Sequence, residues 1–223
     1  MIKRRQLLQI GAGLMASQTL GLRAEPAPVA LPLIQRPIPS TGELLPVMGM
    51  GASRTCDTDA DPASLAALLA VIQAFFDGGG TVIDSSPMYG NAESRVGDVL
   101  RAMPERPKLF AATKVWTDGR QSGIEQMEQS RQLWGIERFD LMQIHNLVDW
   151  ETHLQTLQQM KAEGRIRYIG ITTSHGRYHD DLQSILRKHD FDFLQLSYNI
   201  ANREVEQPLL SIAQDKGIAV IAN

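Results

Sequence analysis

The chain has 223 residues, of which 43% are apolar and 21% are charged, and its formal net charge is −3. This is the composition of a globular protein with one sizeable core, and the mild acidity provides no basic surface for nucleic acid. The single cysteine, Cys56, excludes an intrachain disulfide and is predicted to be a small, partly buried side chain.

The first 24 residues are predicted to be a signal peptide. A basic start leads into an apolar stretch from Leu7 to Leu22, which is too short and too polar for a membrane span. The pair Arg4-Arg5 directly before this stretch resembles a twin-arginine export signal. We therefore expect the twin-arginine machinery to export the protein to the periplasm, with no stable membrane span after signal removal. If the signal is not used, the protein stays in the cytoplasm.

Residues 25–40 are predicted to be a proline-rich linker running into an edge hairpin, and residues 41–223 an incomplete barrel domain. In this second part, apolar runs of strand length alternate with helical periodicity at intervals of roughly 25 to 30 residues. The predicted strands are 44–51, 81–85, 108–116, 139–144, 167–172, 191–197 and 218–222. The predicted helices are 62–77, 92–103, 121–134, 151–163, 180–189 and 204–216.

This alternation favours βα units around a parallel sheet. An open doubly wound sheet would usually carry a glycine-rich phosphate turn after its first strand, and Gly49-Met50-Gly51 lacks the third glycine. A (β/α)8 barrel fits better, because polar residues recur at the ends of many predicted strands.

Catalytic groups of parallel α/β folds lie at the carboxyl ends of strands. Lys114 interrupts an apolar strand, where an inward lysine is costly unless it is paired, and Asp84 is the expected partner. The lysine charge would make a neighbouring Tyr89 a usable proton donor. His145 ends the next strand, within reach of a substrate carbonyl. Taken singly, His145 could be a core histidine and Lys114 a surface lysine, but the joint placement favours a site.

Five stretches of the chain together resemble the aldo-keto reductase family, from about Leu33 to the last residue. They are VIDSSPMYGNAE (82–93), ATKVW (112–116), FDLMQIHN (139–146), YIGITTS (168–174) and LQLSYNIANREVE (194–206). The resemblance implies a (β/α)8 TIM barrel that reduces an aldehyde or ketone with NADPH, or runs the reverse reaction. NADH is not excluded as the cofactor, and no metal is implied.

The resemblance also implies roles for individual residues. Tyr89 is the expected general acid, Lys114 and Asp84 tune it, and His145 orients the substrate carbonyl. Asp84 is also expected to approach the cofactor ribose. The nicotinamide amide is expected to be held by Thr172, Thr173 and Gln195.

Two departures from the family pattern affect these expectations. Thr172-Thr173 stands where many members carry Ser-Asn, and a threonine cannot offer the paired donor and acceptor of an amide. The family's eighth strand, its last helices and the basic segment that grips the adenosine 2′-phosphate lie beyond the seventh strand. We therefore expect a C-terminally truncated chain that is inactive alone, because the segment that binds the cofactor phosphate is missing.

Two other functions are open from the sequence. One is a non-catalytic scaffold or binding protein that resembles a reductase. The other is a barrel metallohydrolase using His145, His175 and His179 with Asp84. The metallohydrolase is disfavoured because the first predicted strand lacks the His-x-His pair that such a site would normally carry.

Overall fold

The structure, a computed structural model, describes residues 33–105 and 107–223. The predicted signal peptide and the linker up to residue 32 lie outside the described residues. Within the described residues, no helix is long and apolar enough to cross a membrane.

Seven parallel strands form one sheet in which each strand pairs with the next along the chain. A separate antiparallel hairpin, made of the first two described strands, precedes them. The strands are β1 (Gln35–Pro37), β2 (Leu44–Pro46), β3 (Met50–Gly51), β4 (Val82–Asp84), β5 (Phe110–Val115), β6 (Phe139–Ile144), β7 (Ile166–Thr172), β8 (Phe193–Leu196) and β9 (Ala219–Ala222).

Six helices connect the sheet strands, one in each crossover. They are α1 (Pro62–Asp77), α2 (Ala92–Ala102), α3 (Arg120–Trp134), α4 (Trp150–Ala162), α5 (His179–Lys188) and α6 (Leu209–Asp215). Short 3-10 turns at His145–Leu147 and Glu204–Glu206 complete the described regular structure. The predicted alternation of parallel strands and helices is confirmed.

The sheet curls into a barrel wall. The rings of Phe110 on β5 and Phe193 on β8 lie 6.0 Å apart although two strands separate them in the sheet order. Alternate residues of each strand therefore face either the barrel interior or the surrounding helices. The described residues supply seven strands of a (β/α)8 barrel, as the sequence predicts.

Two apolar cores follow from this alternation. The interior core joins residues from the hairpin turn and the strands: Ile38, Phe110, Ala112, Leu141, Tyr168 and Phe193. The larger core lies between the outer face of the sheet and the helices, and includes Ile83, Ile144 and Ile171. The interior core occupies the amino-terminal half of the barrel, so the inward positions at the carboxyl ends are left to polar side chains.

Two predicted elements are wrong in detail. Residues 44–51 were expected to form one strand, but Leu44–Pro46 pairs with the hairpin and Met50–Gly51 with the barrel sheet. Residues 204–216 were expected to form one helix, but α6 begins only at Leu209. Pro208 has no backbone N–H to donate, so it cannot lie inside a continuous helix without breaking its hydrogen-bond pattern.

The hairpin is attached to the amino ends of the strands by a polar network. Glu43 accepts hydrogen bonds from Arg167 and from the Tyr168 hydroxyl, the latter at 2.7 Å. Thr41 Oγ1 lies 2.9 Å from the same hydroxyl, and Arg167 Nη1 donates to Asp140 at 2.6 Å. We refer to these five residues as the amino-end network.

Candidate active site

Asp84 is the centre of the polar cluster at the carboxyl ends of the strands. Its Oδ2 accepts from Lys114 Nζ at 2.7 Å and from Gln195 Nε2 at 3.0 Å, and its Oδ1 accepts from Gln143 Nε2 at 2.9 Å. Lys114 is 1% exposed and Asp84 8%, so the pair is nearly removed from water. Alternation explains this burial, because Lys114 shares the inward face of β5 with Phe110 and Ala112. The contact that the sequence predicted between Asp84 and Lys114 is present.

Tyr89 lies next to this ion pair. The Lys114 ammonium is 5.3 Å from the centre of the Tyr89 ring, and the same Nζ also donates to the Ser85 carbonyl at 2.7 Å. The ring is half-buried, and its hydroxyl makes no hydrogen bond to the described part of the chain. A phenol with an unused hydroxyl beside a fixed positive charge has the features of a proton donor.

His145 follows β6 and faces Tyr89. The two rings meet edge to face with centres 5.9 Å apart, and the Trp116 ring lies 6.5 Å from that of His145. Burial, assisted by the positive charge of Lys114, lowers the pKa of His145 to about 3. The imidazole is therefore neutral near neutral pH, and it can offer one hydrogen bond rather than a charge.

The residues expected to hold a nicotinamide amide lie together at the ends of β7 and β8. Thr172 and Thr173 are both 2% exposed. Thr172 Oγ1 already accepts from the Asn146 backbone N–H at 3.2 Å, whereas the buried Oε1 of Gln195 has no hydrogen-bond partner among the described residues. An amide N–H of a ligand would satisfy that oxygen, so this corner of the barrel suits a carboxamide.

Tyr198 and Asn199, in the stretch after β8 that resembles the family, make hydrogen bonds within their own loop. The Tyr198 hydroxyl donates to Glu206 at 2.7 Å. The Asn199 side chain accepts from two backbone N–H groups, those of Ala201 and Asn202, both at 2.9 Å. These bonds shape the loop after β8 and leave neither side chain directed at Asp84.

Sequence reasoning missed Gln143 and Ser86. Gln143 is fully buried and holds Asp84, and a Cβ at Gly170 on the next strand would lie 2.7 Å from Gln143 Cγ. Ser86 Oγ lies 2.9 Å from His145 Nδ1. A signal existed for Gln143, since a polar residue two positions before His145 in an apolar strand shares its inward face.

Glu93 supports the site from behind the sheet. Its buried carboxylate accepts from Thr113 Oγ1 at 2.6 Å, from Ser130 Oγ at 2.8 Å and from Trp134 Nε1 at 3.3 Å. Burial raises its pKa, although these hydrogen bonds and the Lys114 charge oppose the rise. Glu93 thus ties the start of α2, which follows Tyr89, to the strand residue next to Lys114.

No metal-binding group of three or more His, Cys, Asp and Glu occurs within residues 33–105 and 107–223. His175 is exposed, and His179 Nδ1 lies 3.9 Å from the exposed carboxylate of Glu204. A cavity of about 560 Å³ opens between β3 and β9, and Asp84, Gln195 and Asn223 are part of its lining. The polar cluster is therefore accessible from this side of the barrel.

Comparison with known proteins identifies the family to which the chain is similar. Residues 47–223 match the model of the family described as "Aldo/keto reductase family". Aldo-keto reductase YhdN of Bacillus subtilis is 27% identical over 165 residues, which are 67% of this chain and 49% of the relative. The NADH-specific methylglyoxal reductase of Escherichia coli is 29% identical over 171 residues, 62% of this chain and 50% of that protein. The chain thus spans about half the length of these curated relatives.

The fold is also shared with solved structures. A Klebsiella pneumoniae aldo-keto reductase crystallised with NADPH superposes with a TM-score of 0.70 at 23% identity. The match covers 85% of this chain and 68% of that one.

Proposed function

Because the chain belongs to the aldo/keto reductase family, we propose that it reduces an aldehyde or ketone with a nicotinamide cofactor, with Tyr89 as the proton donor. The observation that carries this proposal is the meeting of Tyr89, Lys114, Asp84 and His145 at three adjacent strand ends. Four independent surface or core residues would have no reason to converge on one point.

The four side chains divide the chemistry between them. Asp84 holds the buried Lys114 ammonium in place, since Gln143 and Gln195 fix the carboxylate from two other strands. The Lys114 charge stabilises the phenolate that is left when Tyr89 gives its proton to the carbonyl oxygen. Neutral His145 donates a hydrogen bond to the same oxygen and so orients the carbonyl.

A bound nicotinamide cofactor would supply the hydride. Gln195 Oε1 would accept from its carboxamide, and Thr172 and Thr173 would line the same corner. We propose NADPH as the preferred cofactor, with NADH as the alternative. One related structure was solved with NADPH and one relative is described as NADH-specific, so both are tested.

We further propose that the protein is exported by the twin-arginine route. The support is the Arg4-Arg5 pair before an apolar stretch. In a bacterial host with a twin-arginine system, periplasmic accumulation should be lost when both arginines are changed to lysine. Unchanged accumulation in that double variant would refute the proposed route.

The enzymatic proposal is tested by following cofactor oxidation in the purified chain with methylglyoxal as the first substrate. Cofactor is supplied at millimolar concentration, so that weak binding does not hide turnover. Oxidation that requires both aldehyde and protein, and that is lost in Lys114→Met, would support the proposed reaction and contradict the expectation that the chain is inactive alone. A chain that binds NADPH or NADH without aldehyde-dependent oxidation would instead support a non-catalytic binding protein.

A further inference from the structure

Ser86 links the two groups proposed to contact the substrate carbonyl. Its Oγ lies 2.9 Å from His145 Nδ1, and its backbone carbonyl accepts from the Tyr89 N–H at 3.0 Å. The residue is 1% exposed, so solvent does not compete for either bond. The turn that carries Tyr89 and the ring of His145 are thus both attached to one serine.

The direction of the Ser86–His145 hydrogen bond follows from the partners of the hydroxyl. Ser86 Oγ already accepts from the Met88 backbone N–H at 3.2 Å. If Nδ1 carried a proton and donated to Oγ as well, the serine proton would have no acceptor among the described residues. A buried hydroxyl proton without an acceptor is costly, whereas donation to a lone pair on Nδ1 satisfies every group.

We infer that Ser86 is a positioning residue that holds His145 in the tautomer with its proton on Nε2. With Nδ1 used as an acceptor, a neutral ring carries its single proton on the opposite nitrogen. Nε2 makes no hydrogen bond to the described part of the chain, so its N–H is free for a ligand oxygen. The low pKa of His145, caused by burial and by Lys114, keeps the ring in this neutral form at working pH.

The role of His145 toward a carbonyl rests on the proposed function, but the tautomer itself does not. The test is therefore a 15N–1H correlation spectrum of the whole protein with labelled histidine, recorded near pH 7 without cofactor. The chain has five histidines, and His145→Gln assigns the signals of interest. We expect an unprotonated, hydrogen-bonded Nδ1 and a protonated Nε2. A proton on Nδ1 in the wild-type protein would overturn the inference without any variant.

Three variants sharpen the test. In Ser86→Ala the Nδ1 signal should move to the position of an unbonded ring nitrogen, whereas Ser86→Thr, which keeps the hydroxyl, should resemble the wild type. Ser85→Ala is the matched control, because it removes a neighbouring buried hydroxyl that has no partner among the described residues. If Ser86→Ala leaves His145 unchanged, or Ser85→Ala shifts it equally, Ser86 does not set the tautomer.

Kinetics then separate this inference from the proposed function. Where turnover is measured, Ser86→Ala should lower kcat roughly 2- to 10-fold, the effect of one lost hydrogen bond, without changing KM for the cofactor. Absence of turnover together with a Ser86-dependent Nε2–H tautomer would contradict the proposed reaction and support the inference.

Discussion

The two ends of the barrel strands carry polar clusters of opposite character. At the amino ends, Glu43, Arg167 and Tyr168 satisfy one another and fasten the hairpin to the barrel. At the carboxyl ends, Asp84 and Lys114 are similarly paired, yet buried oxygens of Gln143 and Gln195 have no partner among the described residues.

This difference separates a network whose members satisfy one another from a cluster with buried oxygens that a ligand could use. A closed network gains its free energy from internal hydrogen bonds, and unpaired buried atoms cost free energy until something binds. In (β/α)8 barrels, residues at the amino-terminal face typically stabilise the fold, and residues at the carboxyl-terminal face typically carry out catalysis.

The largest expected effect on stability comes from the aspartates. Asp84→Asn would leave the buried Lys114 ammonium without an opposite charge, and we expect the free energy of unfolding to fall by about 3 kcal/mol or more. Asp140→Asn should cost only about 1 kcal/mol, because Arg167 keeps its bond to the more exposed Glu43. Chemical denaturation of both variants measures this. Equal losses of unfolding free energy in the two variants would contradict the proposed difference between the two ends.

A second effect comes from His145 and depends on pH. Its pKa of about 3 in the folded chain lies below the ordinary value of 6.5, so the unfolded chain binds the proton more readily. The contribution of His145 to the free energy of unfolding is therefore fully present above pH 6.5 and decreases as the pH falls toward 3. Between pH 7 and pH 4.5 the wild type should lose about 2 to 3 kcal/mol more than His145→Gln. The same pH dependence in both proteins would contradict a buried neutral histidine.

The smallest effect concerns Gln143. Gln143→Met keeps the side-chain length but removes the donor to Asp84 Oδ1, so we expect a loss of about 1 kcal/mol in unfolding free energy. Because Lys114 would be held less firmly, kcat should fall by roughly 10-fold or less while KM for the cofactor stays constant. A change in cofactor KM alone would assign Gln143 to cofactor binding instead.

Many helix and strand boundaries of this fold can be predicted from local sequence signals. Asp61 before Pro62 predicts the start of α1, and the Asp61 carboxylate does accept from the N–H groups of Ala63 and Ser64. Gly135 marks the end of α3 with a φ of 65°. Strands that alternate with such helices favour a parallel barrel, so these elements were predictable from the chain alone.

The site was predictable only where a residue type breaks its local pattern. Lys114 inside an apolar strand pointed to a partner, and Asp84 is that partner. Ser86 is a small polar residue in a loop, which is common, and its bond to His145 joins residues 59 positions apart. The amino-end network was missed for the same reason, since Glu43 and Tyr168 are 125 positions apart.

The most direct test of the difference between the two ends is a comparison of Tyr89→Phe with Tyr168→Phe. The Tyr89 hydroxyl is unused by the described residues, whereas the Tyr168 hydroxyl bonds Glu43 and lies within hydrogen-bond distance of Thr41. Turnover and unfolding free energy are measured for both. We predict that Tyr89→Phe lowers kcat by about 100-fold or more and changes stability by less than about 0.5 kcal/mol. Tyr168→Phe should cost about 1 to 2 kcal/mol of stability and leave turnover within roughly 2-fold of the wild type. Retained turnover in Tyr89→Phe would contradict the account.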